Sequence, residues 1–336
     1  MSVLRIVLAA DPAYFPGLAV SMASALAFLG KGMSARITVL HSGLGKTHHT
    51  RLSAMAERLR PGTSVDMVDV HTLGTSLPAA PGLHPLTYAR LLATSVVEEP
   101  AFVYLDSDLL VMRDITPLVD MLAGSTIAAA PRAGRLGDDC PWLDPATMNP
   151  DDDYFCAGIL AVDRLAWLRE DISGRSLAIA TREPQNCRYH DQTVLNFLLH
   201  GRTRFLDPSW GWNHWEFERA PSGAPLILHY ITGGKPWRAP SRQGVAGLWV
   251  EAFRLLCLPE MPGSVASCTL SGTIRDLAAR FLGAIASGPL AVPISQVSKR
   301  TADQWSWQAR RVTQASAQQP RIASCLQLIR SALLPC

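Results

Sequence analysis

Charge is scarce in this sequence, and neither sign is in strong excess. Of its 336 residues 18% are charged, and 31 basic against 28 acidic residues leave a net charge of +3. A balance this close to zero excludes a protein whose whole surface binds nucleic acid, because such binding needs a strongly basic face. Apolar residues make up 48% of the chain, which excludes a disordered protein and allows a sizeable core.

Cysteines with a functional spacing are also lacking. The chain contains Cys140, Cys156, Cys187, Cys257, Cys268, Cys325 and Cys336. Their number is odd, and no two have the C-x-x-C spacing of a zinc or redox site. We therefore expect reduced thiols in a cytoplasmic protein.

No run of residues has the composition of a membrane-spanning helix. Residues 12–30 carry no charge but are rich in Ala, Ser and Gly, whereas a spanning helix has denser Leu, Ile and Val. The apolar residues 3–10 resemble the core of a signal peptide, yet Asp11 follows them at once and Arg5 is the only basic residue there. We expect neither a cleaved signal nor a span.

Length and charge both divide the chain. Its length suits one large α/β domain of about 240 residues with an appendage. Residues 1–237 carry 20 basic and 24 acidic side chains, a net charge of −4, whereas residues 238–336 carry 11 and 4, a net charge of +7. We predict a main domain over residues 1–240 and a helical, basic region over residues 241–336.

Strands and helices alternate through the main domain. Apolar runs predict strands at residues 3–10, 35–40, 64–70, 101–105, 125–130, 154–162 and 226–230. Helical patterns cover residues 17–29, 47–59, 85–97, 191–199, 248–256, 273–285 and 321–334. Strands separated by helices imply an α/β fold with a mostly parallel sheet. Residues 131–153, broken by Pro and Gly, are predicted to be a mobile loop that covers a bound ligand.

The strongest chemical signal is a pair of carboxylates after an apolar strand. Asp106 and Asp108 follow the strand that ends at Leu105, and ligands bind at the carboxyl ends of strands in open α/β sheets. Two hard oxygen donors suit a divalent cation, which can hold a pyrophosphate. The alternative is a pair that only caps the next element. A phosphatase with a nucleophilic aspartate is disfavoured, because its motif belongs on the first strand with Thr or Val where Leu110 stands.

A second signal lies near residue 230. His229 ends an apolar strand, and Gly233 and Gly234 would let the backbone approach a ligand closely. Lys235, one of four lysines against 27 arginines, is a point charge suited to phosphate. The alternative is a turn beside a core histidine.

Four further residues have both a binding and a structural interpretation. Asp11 and Tyr14 follow the first strand and would bind a ribose and stack on a base, or act as a cap and a core ring. Asp191 precedes an apolar helix and would be a ligand or an N-cap. Arg90 would hold an anion or lie on a solvated face.

Taken in order, six segments resemble glycosyltransferase family 8, which includes bacterial lipopolysaccharide galactosyl- and glucosyltransferases and glycogenin. The segments are A-A-D-P-A-Y at 9–14, T-Y-A-R at 87–90, Y-L-D-S-D-L-L-V at 104–111, Y-F-C-A-G-I-L at 154–160, D-Q-T-V-L-N at 191–196 and H-Y-I-T-G-G-K-P-W at 229–237. The resemblance runs from residue 3 to residue 237, about seven tenths of the chain.

The resemblance implies a GT-A fold and transfer of a hexose, galactose or glucose, from a UDP-sugar to a saccharide or glycolipid acceptor. It implies retention at the anomeric carbon, and synthesis of lipopolysaccharide or another surface glycan. Manganese is the implied cofactor, with magnesium as the alternative, since a site that mixes oxygen with one imidazole suits manganese better.

The resemblance also assigns residues. The implied metal ligands are Asp106, Asp108 and His229. The implied nucleotide-binding residues are Ala9, Asp11, Tyr14, Ser107, Gly233, Gly234 and Lys235. The implied donor-sugar residues are Arg90, Cys156, Ala157, Gly158, Asp191 and Gln192, of which Gln192, Asp191 and Arg90 are the catalytic ones.

The sequence departs from the family pattern at a few positions. Cys156 replaces the usual asparagine, and a thiol is a poor substitute for an amide that both donates and accepts. Pro12 and Ala13 stand where polar residues are common, and Thr232 stands where glycine is usual. The alternative function is therefore a catalytically weak homologue that binds a sugar nucleotide.

Two regions outside these segments have predicted partners. The acceptor is expected to contact residues 131–153 and the aromatic segment 208–215, although a buried Trp cluster is an equally good interpretation of the latter. The basic C-terminal region combines Trp305 and Trp307 with an amphipathic helix, which suits the anionic inner face of the cytoplasmic membrane. The alternative is a helix packed on the protein, with its arginines in water.

Overall fold

The computed structural model describes residues 2–79, 84–213, 216–217, 225–231, 235–237, 246–257 and 320–333. These residues fall into two compact units. The first lies within Met1–Asn213 and Pro225–His229, and the second within His214–Ala224 and Tyr230–Cys336. These units are defined by which residues pack together. The predicted boundary at residue 240 instead separates a catalytic region from a basic one, and it stays a prediction.

The predicted alternation of strands and helices is confirmed. The strands are β1 (Ser2–Ala10), β2 (Met33–His41), β3 (Ser64–Asp69), β4 (Ala101–Leu105), β5 (Leu109–Val111), β6 (Ile127–Arg135), β7 (Asp153–Asp163), β8 (Thr203–Phe205), β9 (Trp212–Asn213) and β10 (Ile227–His229). The α-helices are α1 (Phe15–Ala27), α2 (Lys46–Leu59), α3 (Ala93–Val96), α4 (Pro117–Asp120), α5 (Leu136–Asp139), α6 (Arg164–Arg169), α7 (Ile172–Arg182), α8 (Asp191–Leu198), α9 (Ala246–Leu256) and α10 (Pro320–Leu333). Short 3-10 helices cover Val70–Leu73, Pro85–Leu92, Pro184–Asn186 and Pro208–Gly211.

Seven strands form a mostly parallel sheet, as the alternation predicted. Their order is β3-β2-β1-β4-β7-β6-β8. Only β7 runs against its neighbours, β4 and β6, and the other pairs in this sheet are parallel. β1 and β2 are buried along most of their length, because helices cover both faces of a parallel sheet and exclude water from it.

The sheet order sets where the polar residues after each strand lie. β1 and β4 are parallel neighbours, so the residues that follow them, Asp11 and Asp106, emerge at the same edge. β7 passes that edge in the opposite direction, and its Ile159 pairs with Leu105 at the end of β4. The residues just before Ile159 therefore lie beside Asp106, whose backbone N–H donates to the Gly158 carbonyl at 2.8 Å.

A second sheet brings a distant histidine to the same place. β10 lies between β5 and β9 and runs antiparallel to β5. His229 pairs with Leu109, the residue after Asp108. Pairing between these two short strands therefore brings Asp108 close to His229, which is 121 residues further along the chain.

Residues 131–153 contain strand and helix residues where a loop was predicted. Residues 131–135 extend β6, residues 136–139 form α5, and β7 begins at residue 153. Three side chains of this segment and one just beyond it form a small buried cluster: Leu136, Cys140, Met148 and Tyr154. Pro141, Pro145 and Pro150 lie in turns, whereas Pro131, Gly134 and Gly137 lie within β6 and α5. Mobility of the segment stays a prediction. Whether the segment covers a ligand stays a prediction.

The third predicted helix also differs in type. Residues 85–92 form a 3-10 helix, and only residues 93–96 are α-helical. The apolar residues Leu86, Leu91 and Leu92 are buried, as a helix packed on the core requires, but the helix is mainly of the 3-10 type.

The last helix, α10, is amphipathic, as predicted. Within the second unit, α9 packs against α10, and Cys325, Leu326 and Ile329 of α10 are buried. Arg330 Nε lies 3.2 Å from Glu251 Oε1. The apolar face of α10 is therefore already covered by protein, which favours the packed-helix alternative for this segment.

Two further observations concern the predicted class of protein. Across the described ranges, no helix is both long enough and apolar enough to cross a bilayer. None of the cysteines in these ranges forms a disulfide. Cys268, Cys336, Trp305, Trp307 and the predicted helix over residues 273–285 lie outside the described residues.

Candidate active site

Two carboxylates and one imidazole converge at the sheet edge. One ligand atom from each of Asp106, Asp108 and His229 lies within 4.8 Å of the others. His229 Nε2 is 3.0 Å from Asp108 Oδ1 and 3.7 Å from Asp106 Oδ2. Asp108 and His229 are buried, at 8% and 4% exposure. Buried carboxylates are stable when paired or bound to metal, so this donor set fits a divalent cation.

The electrostatics of His229 agree with that fit. Burial lowers the pKa of the imidazole, but Asp108 and Cys156 together raise it more, so that the pKa lies at about 10. A positive charge is therefore favourable at this position between the carboxylates. A divalent cation would supply that charge in place of the proton.

Because Gly158 has no side chain, it leaves room for the cluster of Asp106, Asp108 and His229. A Cβ atom at this position would lie 2.4 Å from His229 Cε1 and 2.7 Å from Asp106 Oδ2. Real Cβ contacts are longer than this, so any side chain at position 158 would displace a candidate ligand. The position predicted to line the donor sugar therefore requires glycine for a steric reason, whether or not a sugar binds there.

Arg90 is buried between two carboxylates rather than solvated. Its Nη2 lies 3.1 Å from Asp106 Oδ1, its Nε lies 2.5 Å from Asp191 Oδ2, and its Nη1 donates to the Ala157 carbonyl. The guanidinium carbon also lies 4.7 Å from the centre of the Tyr104 ring. Arg90 therefore joins the candidate metal ligand Asp106 to the start of α8.

Replacing Arg90 by methionine should lower the free energy of unfolding by about 3–5 kcal/mol, because it leaves a buried carboxylate without a partner. Asp191 is only 2% exposed. Arg36→Met is the matched control, since the Arg36 side chain is 59% exposed where it meets Glu99 at 3.6 Å, and a pair of that kind contributes at most about 1 kcal/mol. Urea unfolding measures both losses. Equal losses in the two variants would contradict a structural role for Arg90.

Side chains of α8 form hydrogen bonds with the backbone of β7. Asp191 is the first residue of α8 and His190 is its N-cap, so the N-cap interpretation of Asp191 is wrong. Gln192 Oε1 accepts from the Ala157 N–H at 3.0 Å. Asn196 accepts from the Phe155 N–H at 2.8 Å and donates to the Phe155 carbonyl at 3.1 Å. Residues 155–158 are thus held by side chains of α8 as well as by the sheet.

The predicted nucleotide residues after β1 form a compact turn. Asp11 Oδ1 accepts from the Tyr14 N–H at 2.9 Å, and both residues are half-buried. This bond closes a turn before α1, whose N-cap is Tyr14, so Asp11 does not cap the helix. A contact of Asp11 with a nucleotide stays a prediction. Ser107 Oγ donates to the Ala9 carbonyl at 2.5 Å. This hydrogen bond joins the segment that carries Asp106 and Asp108 to β1.

The remaining predicted nucleotide-binding residues follow residue 229, where the first unit ends. Gly233, Gly234 and Thr232 lie outside the described residues. Lys235 belongs to the second unit, where it is buried and its Nζ donates to the Tyr230 carbonyl at 2.7 Å. Its proposed contact with a diphosphate stays a prediction.

The aromatic segment at residues 208–215 is described up to residue 213. Trp210 is buried and Trp212 is half-buried. The burial of Trp210 favours the structural interpretation for that residue, and an acceptor contact by the segment stays a prediction.

Sequence reasoning missed two residues that hold Asp106. Ser21 Oγ donates to the Asp106 carbonyl at 2.8 Å, and Tyr104 Oη donates to Asp106 Oδ1 at 3.0 Å. Tyr104 lies within the carboxylate segment and was available as a signal. Ser21 was not, because it is one of several small residues of α1 and only the packing of α1 brings it to Asp106.

Comparison with known proteins decides the family. A sequence model described as "Glycosyl transferase family 8" matches residues 5–240. The chain belongs to glycosyltransferase family 8. The resemblance drawn from six short segments is thereby confirmed, and the match covers both the candidate metal site and the start of α8.

Several curated relatives of this family 8 chain are bacterial glycosyltransferases. GlyE of Streptococcus pneumoniae serotype 4 is 26% identical over 206 residues, which cover 55% of this chain and 47% of GlyE. GlyF of the same organism is 26% identical over 253 residues, 73% of this chain and 60% of GlyF. A lipopolysaccharide 1,2-glucosyltransferase of Escherichia coli is 25% identical over 150 residues, 40% of this chain and 43% of that enzyme. The chain thus spans about half to three fifths of the two streptococcal relatives.

Solved structures agree on the fold. A crystal structure of the galactosyltransferase LgtC in complex with donor and acceptor sugar analogues has a TM-score of 0.62 at 24% identity, covering 74% of this chain and 95% of LgtC. The crystal structure of GlyE has a TM-score of 0.58 at 23% identity, covering 75% of this chain and 60% of GlyE. The family 8 chain therefore has the GT-A fold that the sequence predicted.

Proposed function

We propose that this chain transfers a hexose, galactose or glucose, from a UDP-sugar to a saccharide or glycolipid acceptor, with retention at the anomeric carbon. Membership of family 8 supports a glycosyltransferase. The observation that carries the proposal is the cluster of Asp106, Asp108 and His229 at the carboxyl edge of the sheet, where α/β folds bind ligands. The product would belong to lipopolysaccharide or another surface glycan.

We propose manganese as the cofactor, with magnesium as the alternative. The ligands would be Asp106, Asp108 and His229, and one imidazole among oxygen donors favours manganese. When bound, the ion would hold the donor diphosphate and stabilise its charge as the sugar leaves.

The protein groups near the metal site support attack from the face that the diphosphate leaves. The Asp191 carboxylate is buried against Arg90, and Gln192 is neutral and accepts from the Ala157 N–H. Neither is placed as a strong nucleophile. In the proposed step the acceptor oxygen bonds to the anomeric carbon, the bond from that carbon to the phosphate oxygen breaks, and the acceptor proton passes to the departing phosphate.

Asp191 has a second role in this proposal, as the group that holds Arg90 in place beside Asp106. Burial raises the pKa of the Asp191 carboxyl to about 6, although Arg90 lowers it. The carboxyl is therefore ionised above about pH 6 and protonated below it. Protonation would release Arg90 and disturb Asp106.

We therefore expect kcat to fall as the pH drops through about 6, measured at saturating donor and metal. Asp191→Asn cannot ionise, so its residual activity should show no such fall. Circular dichroism at each pH checks that the fold persists. A wild-type profile that stays flat down to pH 5 would exclude ionised Asp191 as a requirement.

The alternative function is a catalytically weak homologue that binds a sugar nucleotide. The observation that favours it is Cys156, a thiol in a position where the family usually has an amide. Such a protein would bind UDP-sugars without turning them over.

A panel of UDP-hexoses tests the two functions. We expect UDP release with one of them in manganese and none in chelator, and NMR of the glycosylated product should show the anomeric configuration of the donor. Binding without UDP release under any condition would favour the weak homologue. Turnover in chelator, or an inverted product, would contradict the proposed mechanism.

We also propose that the basic C-terminal region associates with the anionic inner face of the cytoplasmic membrane. Its net charge of +7 supports attraction by charge, while the buried apolar face of α10 argues against insertion. Flotation with anionic liposomes should therefore succeed at low salt and fail at high salt. Equal flotation with neutral liposomes would contradict this.

A further inference from the structure

We propose that Cys156 is a positioning residue for His229, whose Nδ1–H it accepts so that Nε2 faces the metal ion. The inference rests on the proposed metal site. Cys156 departs from the family pattern. In this proposal the thiol orients a metal ligand, which is separate from recognition of the sugar.

The two ring nitrogens of His229 meet different partners. Nδ1 lies 3.5 Å from Cys156 Sγ, and Nε2 lies 3.0 Å from Asp108 Oδ1. Only Nε2 therefore faces the carboxylates. The sulfur contacts the imidazole at the other nitrogen, where it can orient the ring without occupying the ion's position.

Metal binding imposes one tautomer on this histidine. A neutral imidazole that ligates through Nε2 must carry its proton on Nδ1, and a buried N–H needs an acceptor. His229 is 4% exposed, so water gives little access to that proton. In the described part of the chain, the hydrogen bond that Nδ1 makes is the one with Cys156 Sγ. Partners of this kind fix the orientation of metal-bound histidines.

The strand geometry holds the thiol in place. Within residues 155–158 side chains alternate between the two faces of β7, and Phe155 and Ala157 point into the main core. Cys156 and Gly158 therefore share the opposite face, on which the space over Gly158 is filled by the His229 ring. Because α8 fixes the backbone of residues 155 and 157 by hydrogen bonds, Sγ has little freedom to move away from Nδ1.

The test titrates manganese alone into the full-length chain and follows the free ion by EPR. We expect Cys156→Ala to weaken binding about 10-fold or more, the usual effect of losing a partner of a metal-bound histidine. Cys156→Ser keeps an acceptor and should lose less. Cys140→Ala is the matched control, because Cys140 is buried in the separate cluster with Met148 and Tyr154 and should bind manganese like the wild type.

A double-mutant cycle separates positioning from general damage. On a His229→Ala background, Cys156→Ala should cause no further loss of manganese affinity, since the thiol acts only through the ring. Additive losses would overturn the proposal, as would a Cys156→Ala variant that binds like the wild type. Cobalt distinguishes direct ligation: a sulfur-to-cobalt charge-transfer band that disappears in Cys156→Ala would make Cys156 a ligand instead. If the wild type itself binds no manganese, the proposed metal site fails first.

Discussion

Asp108→Asn is expected to reduce transfer by about 1000-fold or more and to abolish tight manganese binding. The substitution keeps the size of the side chain but removes the negative charge from the most buried carboxylate of the cluster, 3.0 Å from His229 Nε2. A metal ion that stabilises a leaving diphosphate contributes several kcal/mol, and about 4 kcal/mol corresponds to about 1000-fold in rate. Hydrolysis and transfer assays with the preferred UDP-hexose measure the loss.

Asp120→Asn is the control for this variant. It makes the same chemical change on an exposed residue at the end of α4, in the same unit of the protein. Its activity and metal affinity should match the wild type. An Asp108→Asn variant with normal turnover, or wild-type protein with normal turnover in chelator, would exclude the metal site.

Gly158→Ala is expected to lower activity by about 100-fold while the protein stays folded. The added methyl group would lie 2.4 Å from His229 Cε1 and 2.7 Å from Asp106 Oδ2, so two of the three candidate ligands must move. Displacement of a reacting group by about 1 Å can cost about 100-fold in rate. Manganese affinity should fall with the activity, and both are measured on protein whose circular dichroism is unchanged.

Gly45→Ala is the matched control, because a Cβ atom there meets nothing within 4 Å and the backbone φ is −110°. Gly45 is the N-cap of α2, where alanine is less favourable than glycine, so a small loss of stability is expected without loss of activity. If Gly158→Ala kept its manganese affinity, the ligands would have to lie elsewhere.

Much of the fold was predictable because local patterns agree with it. β4 matches its predicted bounds at both ends, and β1, β2 and α2 differ from theirs by at most two residues at either end. These elements have long apolar periods and clear turn residues, so packing reinforces what the local sequence already favours. Short elements such as β5, β8 and β9 have too few residues for a period to be visible, and they form because a neighbouring strand offers hydrogen bonds.

The local sequence marked the two aspartates as candidate metal ligands. Only the resemblance to family 8 joined them with His229 into one set of ligands. Asp106 and Asp108 carry a local signal, since they follow a buried strand. His229 alone has the pattern of a core histidine, and its role rests on the order of six segments along the chain. Arg90 and Asp191 were identified with the same segments, but their mutual ion pair was not.

By itself, the sequence determined six of the seven strands of the main sheet, the carboxylates at the end of β4 and the family. Only the tertiary structure decided that β10 pairs with β5, that Arg90 lies between Asp106 and Asp191, and that residues 131–153 are built around their own buried cluster. Strand and helix periods follow from contacts between near neighbours along the chain. The pairing of His229 with Leu109 and the contact of Cys156 with His229 join residues far apart in sequence, and the free energy that selects them comes from burial of the whole core.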